Sequence, residues 1–163
     1  MLNSITINRL RVIHDLNVDL LMEENSVYHY AIQSRLTRDE TVAAKFAQFS
    51  REEDIHVILL EVMIKRLGGR VYPVRWLFRG WGFVGGLLTG IFGARFALWI
   101  NAWLERGGYE LYYHHRKRAL PLGDLVVIRQ LDRLIREEIE HEEWLVNACR
   151  RSRFQVTEGQ SKL

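Results

Sequence analysis

Two apolar seams, each broken at its centre by a glutamate and a histidine, constrain this chain more than any other feature. Val42, Phe46, Phe49, Glu53, His56, Leu60, Met63 and Leu67 step by four and three along one stretch. Val127, Leu131, Leu134, Glu138, His141, Leu145 and Ala148 do the same along another. That spacing is the buried seam of a helix in a bundle. Each Glu-x-x-His therefore turns a carboxylate and an imidazole toward a core on one helix face. A buried ionised carboxylate is very costly without compensation, and a metal ion is the compensation that also accounts for the histidine.

The remaining pattern predicts four long helices. The first covers about 7–36, with Ile13, Leu16, Leu20, Glu23, Val27, Tyr30 and Ser34 on one seam. Thr37-Arg38-Asp39-Glu40 reads as a capping box that opens a second helix running to about residue 67. Gly68-Gly69 stops it, with Lys65 and Arg66 in the last turn where the helix dipole favours cations. A connection through Pro73 leads to a third helix over about 91–118; Pro121 and Gly123 mark the next turn, and a fourth helix spans about 124–151. The expectation is an all-α, ferritin-like four-helix bundle over 1–152. It is built as two hairpins in up-down-down-up order, with a long apolar crossover at about 68–91 and a polar tail over 153–163.

Such a bundle builds a two-metal site from one Glu on each of two helices and a Glu-x-x-His on each of the others. Glu23 lies on the first seam and Glu105 on the third, among Leu98, Ala102, Tyr109 and Tyr112. Each has a tyrosine seven residues on, Tyr30 and Tyr112. Glu53 to Glu138 and His56 to His141 are both displaced by 85 positions, so the chain reads as an internal duplication. The expected metal ligands are Glu23, Glu53, His56, Glu105, Glu138 and His141. Tyr30 and Tyr112 are candidates for hydrogen bonds to ligands or for a redox role in catalysis. Four carboxylates match the charge of two divalent cations, and oxygen-rich ligation with two imidazoles suits iron, with manganese as the alternative. Glu24, Glu52, Glu110, Glu137, Glu140, Glu142 and Glu143 are expected on solvated faces. His14, His29, His114 and His115 are expected at the surface or behind the ligands.

Composition narrows the classes further. A single cysteine, Cys149, excludes a disulfide framework and Cys-rich zinc or rubredoxin-type iron sites. A net charge of +3 with scattered arginines gives no basis for nucleic-acid binding. Arg9, Arg11, Asp15 and Asp19 interrupt the first twenty residues, so no secretory signal is expected and a cytoplasmic setting follows. The run between Arg79 and Arg95 is uncharged but holds six glycines, too short and too glycine-rich for a membrane span. Trp76, Trp81, Trp99 and Trp103 flank or occupy it, with Arg75, Arg79 and Arg95 between them, a mixture suited to the membrane interface. A crossover packed on the bundle and a homodimer contact are the alternatives.

The quartet Glu23, Glu53-x-x-His56, Glu105, Glu138-x-x-His141 resembles the ferritin-like di-iron superfamily. Within it the chain is most similar to the demethoxyubiquinone hydroxylase (Coq7-like) family. The features that carry this are Glu23 with Tyr30-Ala31-Ile32-Gln33, then Glu52-Glu53-Asp54-Ile55-His56, the Leu67-Gly68-Gly69 stop, the glycine-rich crossover and Glu137-Glu138-Ile139-Glu140-His141. Where members often carry Asn-His-x-Gly before the first ligand, this chain has Asp19-Leu20-Leu21-Met22. The resemblance implies a di-iron, O₂-dependent monooxygenase of ubiquinone biosynthesis. It would hydroxylate a hydrophobic quinol-type ring as a peripheral protein on the inner face of a membrane, with residues 76–103 docking to the bilayer. A rubrerythrin-like peroxidase or a ferritin-like ferroxidase would use the same ligands. A non-enzymatic bundle with a structural metal is the third reading.

Overall fold

The seams form helices as their spacing requires. A computed structural model describes residues 4–160, with side chains as far as Arg151. Its elements are α1 (Ser4–Leu36), α2 (Glu40–Arg66), α3 (Arg75–Ile91), α4 (Ala94–Ala119), a single 3₁₀ turn (Leu120–Leu122) and α5 (Leu125–Gln160). No strand occurs among the described residues. The segment expected as a polar tail is helical as far as Gln160 and otherwise lies outside the described residues.

Cross-helix contacts give the directions. Ser50 Oγ of α2 donates to Val27 O of α1 at 2.9 Å. Asp15 meets Arg118, and Gln33 meets Asn101, so α1 and α4 run antiparallel. His56 meets Glu137 and His141 meets Glu52, so α2 and α5 do too. The order is therefore up-down-down-up. Two consecutive bundle helices pointing the same way need a connection the full length of the bundle, and α3 is that connection. The expected apolar crossover is thus itself largely a fifth helix, and the helix expected from residue 91 begins at Ala94.

Glycine spacing explains why a helix forms there. Gly82, Gly86 and Gly90 fall on one face, four residues apart, and all are buried. A Cβ on Gly82 would lie 2.1 Å from Asn25 O, and one on Gly86 would lie 2.5 Å from His29 O. The absent side chains let α3 lie backbone to backbone along α1, and that packing outweighs the poor helix propensity of glycine. Arg75 and Arg79 fasten its first turns: Arg79 Nε donates to Glu24 Oε2 at 2.6 Å, and Arg75 bridges Glu24 and Glu61. Glu24, expected on a solvated face, is 3% exposed because these arginines cover it.

The helix ends follow local chemistry. Gly69 N–H reaches Ile64 O at 2.9 Å and Gly68 N–H reaches Lys65 O at 3.0 Å, with Gly68 at φ +77°. This pair of bonds is the Schellman stop. At the start of α2 the cap is Asp39, whose Oδ1 accepts from Val42 N at 3.1 Å, and not the Thr37–Glu40 box expected. Asp124, 85 positions on, accepts from Val127 N at 3.2 Å in the same way.

Inside, the apolar side chains form two clusters. One gathers Leu16, Leu20, Leu60, Met63, Leu131 and Leu134; the other gathers Tyr30, Phe46, Phe49, Leu98 and Leu145. Glu53, His56, Glu138 and His141 interrupt the seams between them.

The α1–α3 contact gives a direct test by urea unfolding. Gly82→Ala should lose about 1–3 kcal/mol through overpacking, net of the higher helix propensity of alanine. Gly80→Ala, on the same helix with nothing within 4 Å, should be neutral or gain up to about 1 kcal/mol.

Candidate metal centre

Each buried ligand-type side chain arrives from a different turn of the four long helices, and the six converge. Glu23 (α1), Glu53 and His56 (α2), Glu105 (α4), and Glu138 and His141 (α5) are all buried. Among the described residues, donor atoms fall into two quartets, each with its atoms within 4.8 Å of one another. One is Glu23, Glu53, His56 and Glu138; the other is Glu53, Glu105, Glu138 and His141. Glu53 and Glu138 belong to both. The geometry is that of two adjacent cation positions sharing two carboxylates, each with one further carboxylate and one imidazole.

The donor atoms point inward. His56 Nδ1 lies 2.9 Å from Glu53 Oε2 and 3.0 Å from Glu138 Oε1, and His141 Nδ1 lies 3.1 Å from Glu53 Oε1. Yet both Glu53 oxygens, Glu138 Oε1 and the two Nδ1 atoms are buried without a hydrogen-bond partner. Native interiors rarely leave such atoms orphaned, and five at one point are what a pair of cations would satisfy.

Electrostatics agrees. Burial, then the charge of Glu53, pushes the Glu23 and Glu138 carboxyls well above the usual range. Burial pushes Glu53 up as well, but His56 and His141 outweigh it and hold that carboxyl well below. Burial opposes charge on His56, but Glu53 and the neighbouring carboxylates raise it. The cluster demands positive charge.

Surrounding groups fix these side chains in a crossed pattern. Tyr30 O–H donates to Glu105 and Tyr112 O–H donates to Glu23, so each tyrosine holds the cluster glutamate of the opposite hairpin. Burial and the adjacent carboxylates raise both phenols, which keeps them protonated donors. The imidazoles are held likewise: His56 Nε2 lies 2.9 Å from Glu137 Oε2, and His141 Nε2 lies 3.1 Å from Glu52 Oε2. The His56 hydrogen bond holds Glu137 down to about 2. Glu52 and Glu137 are therefore not the plain solvated residues expected. The signal was present: each immediately precedes a seam Glu, and the two lie 85 positions apart like Glu53 and Glu138. Glu142 is also buried, paired with Arg106. Glu110, Glu140 and Glu143 are exposed as expected.

The other histidines lie outside the cluster. His14 and His114 are exposed. His29 is buried against Gln33 at 2.9 Å, and burial holds it down to about 4. His115 is buried against Asp19 at 2.8 Å.

Two clefts approach the cluster from different sides. One of about 320 Å³, lined by Lys45, Glu52, Arg133, Glu137, Glu140 and His141, is polar. The other, about 370 Å³, is mostly apolar, with Met22, Trp103, Leu104 and Leu111 in its walls and Asp19, Glu23 and Tyr112 at its polar end. Gly107 and Gly108 floor it; a Cβ on Gly108 would sit 3.7 Å from Glu138 Oε2, so this turn of α4 leaves clearance beside a shared carboxylate.

Comparison with known proteins follows the same line. Residues 16–155 match the family described as Ubiquinone biosynthesis protein COQ7. The 3-demethoxyubiquinol 3-hydroxylase of Azoarcus sp. (strain BH72) is 32% identical over 114 residues, 70% of this chain and 55% of that protein. The chain thus spans about half the length of this curated relative. Among solved structures, a bacterioferritin of Desulfovibrio desulfuricans, determined with its diiron site in different catalytic states, superposes with a TM-score of 0.70 at 21% identity. The match covers 91% of this chain and 83% of that one, and shows the ferritin-like fold.

Loss of the carboxylates behind the imidazoles should weaken metal binding without unfolding the bundle. Glu52→Gln and Glu137→Gln should each lower Fe²⁺ affinity about 10–100-fold in competition with a chelator, while thermal melting of the apo protein changes little.

Proposed function

The chain belongs to the COQ7 family of ubiquinone biosynthesis proteins, and within it we propose a di-iron, O₂-dependent hydroxylase acting on a hydrophobic quinol-type ring. The observation that carries this reading is the pair of buried quartets sharing Glu53 and Glu138, open on one side to an apolar cleft. When bound, a ferrous pair supplies the electrons and coordination positions that activate O₂ for transfer of one oxygen atom to an aromatic carbon.

The residues have distinct roles in that proposal. Glu53 and Glu138, common to both quartets, would help hold both ions, with Glu23 and His56 at one position and Glu105 and His141 at the other. Glu137 and Glu52 accept from Nε2–H of the imidazoles, which leaves each Nδ1 lone pair facing inward for the metal. Tyr30 and Tyr112 hold Glu105 and Glu23 in fixed rotamers. Tyr112 also borders the cleft, so it is the tyrosine that would face a bound ring. The apolar walls exclude water around the reacting ring and favour a greasy aromatic substrate over Fe²⁺ or peroxide as the main client.

A membrane surface is the natural source of such a substrate. Trp76, Trp81, Ile91, Phe92, Trp99 and Trp103 are each more than half exposed, with Arg79 and Arg95 among them. Trp103, exposed like these residues, also lines the cleft, so a substrate delivered at such a surface would find an apolar approach to the cluster. No helix among the described residues is long and apolar enough to cross a membrane, so we assign this face to peripheral contact.

Two measurements test the proposal. Fe²⁺-loaded protein given O₂, a reductant and a short-chain demethoxyquinol should yield the ring-hydroxylated product, and Glu53→Ala or His141→Ala should remove metal binding and turnover together. Rapid peroxide consumption or ferrous oxidation without ring product would instead assign a rubrerythrin-like or ferritin-like role. In flotation with anionic vesicles the protein should rise with the lipid, and Trp81→Ala with Trp99→Ala should cut the bound fraction at least about fivefold. Self-association without lipid binding would give that face to a second copy.

A further inference from the structure

The internal duplication repeats α1 and α4 with an offset of 82 positions, as in Glu23 with Glu105 and Tyr30 with Tyr112. The same offset relates Asp19 to Asn101 and Gln33 to His115. These four form two equivalent pairs, one on each side of the ligands. At one, Asn101 Nδ2 donates to Gln33 Oε1 at 2.6 Å, while Gln33 Nε2 reaches Thr89 Oγ1 at 2.7 Å. That pair is uncharged, mutually satisfied and roofed by α3. At the other, the amides are replaced by an ionisable pair: His115 Nδ1 lies 2.8 and 2.9 Å from the two Asp19 oxygens. The α3 glycines meet α1 between Asn25 and Leu36, whereas Asp19 lines the apolar cleft beside Glu23 and Tyr112.

We propose that Asp19, backed by His115, is the polar recognition point of this cleft, accepting a hydrogen bond from a ring hydroxyl of the quinol-type substrate. The inference rests on the hydroxylase reading above and deepens it. A carboxylate offers about four acceptor sites, and a single His115 N–H, 2.8 and 2.9 Å from the two Asp19 oxygens, cannot fill them. Asp19 is 2% exposed, so water does not freely supply the rest. An under-satisfied buried acceptor at the polar end of an apolar cleft selects a ligand with a hydroxyl there and rejects one without it. Burial, against the His115 hydrogen bond, raises the Asp19 carboxyl to about 6. Behind the pair, His115 Nε2 faces Asp15 Oδ1 at 3.7 Å and Asp15 accepts from Arg118 at 2.6 Å. This row of alternating charge holds the imidazole in place. No proton transfer is required, because the substrate keeps its O–H bond.

The test is calorimetric titration of anaerobic, Fe²⁺-loaded protein with a short-chain methoxy-hydroquinone and with its dimethyl ether. Wild type should bind the hydroquinone at least about tenfold more tightly than the ether, the range for a hydrogen bond to a charged group. Asp19→Asn, isosteric and checked for iron content and melting temperature, should lose at least about tenfold for the hydroquinone and nothing for the ether. Equal losses for both ligands, or none, would overturn the assignment. So would wild type that binds the ether as tightly as the hydroquinone, a measurement that needs no variant. The two readings separate cleanly. If wild type hydroxylates the ring while Asp19→Asn keeps full discrimination, the Asp19 role falls and the hydroxylase stands. If discrimination depends on Asp19 but no ring product forms under O₂, the hydroxylase falls and the recognition site stands.

Discussion

Burial of four carboxylates and two imidazoles in one layer is the constraint that organises this molecule. Unpaired, those charges would be intolerable in a protein interior. The fold answers by placing them where helices from both hairpins meet and by giving each outward-facing atom a partner. Tyr30, Tyr112, Glu52 and Glu137 take up the outer faces, so the donors left over all point to the same small volume. Apolar clusters above and below supply the stability: each fully buried Leu or Phe there contributes about 1.5–3 kcal/mol. A charged layer is tolerable because it is thin and sandwiched.

Duplication solves the geometric problem and also creates a choice. Two copies of a helical hairpin facing each other across a pseudo-twofold axis give two equivalent metal positions, and the crossed tyrosine and glutamate partners follow from that symmetry. The crossover breaks it. By lying along α1 from Asn25 to Leu36, α3 closes the side that holds Gln33 and Asn101 and leaves the Asp19–His115 side open. A symmetric metal pair thereby acquires one apolar approach, and the residues on the two sides diverge accordingly: amides under the roof, an ionisable pair at the opening.

The bundle and the convergence of six buried carboxylate and imidazole side chains were legible in the sequence because burial periodicity and chemistry coincide there; a seam glutamate has few explanations. Glu24 was misread because its partners, Arg75 and Arg79, lie more than fifty residues away on the crossover, to which the sequence pattern assigned no secondary structure. Six glycines in a short run are poor helix formers by propensity. Close packing on α1 decides otherwise, and propensity carries no information about a neighbouring backbone 2.1 Å from a hypothetical Cβ. Glu52 and Glu137 fall between the two cases. Seam phase puts them off the core, and so they are, but one step off the core is within reach of an imidazole Nε2.

The two clefts also differ in what they can pass. The polar one is bordered by Lys45, Arg133 and three glutamates and reaches the imidazole side of the cluster, where Nε2 atoms are already engaged. A neutral aromatic ring would gain little there and would displace water from charged groups. The apolar one reaches the carboxylate side at Glu23 and at the clearance left by Gly107 and Gly108, where a flat ring can approach a metal position without pushing aside a side chain. Small ions and water are therefore matched to the first and a hydrophobic ring to the second. Because the walls of the second continue into the exposed tryptophans of α4, a substrate delivered from a lipid surface, as proposed, would stay in apolar surroundings until it met Asp19, Glu23 and Tyr112.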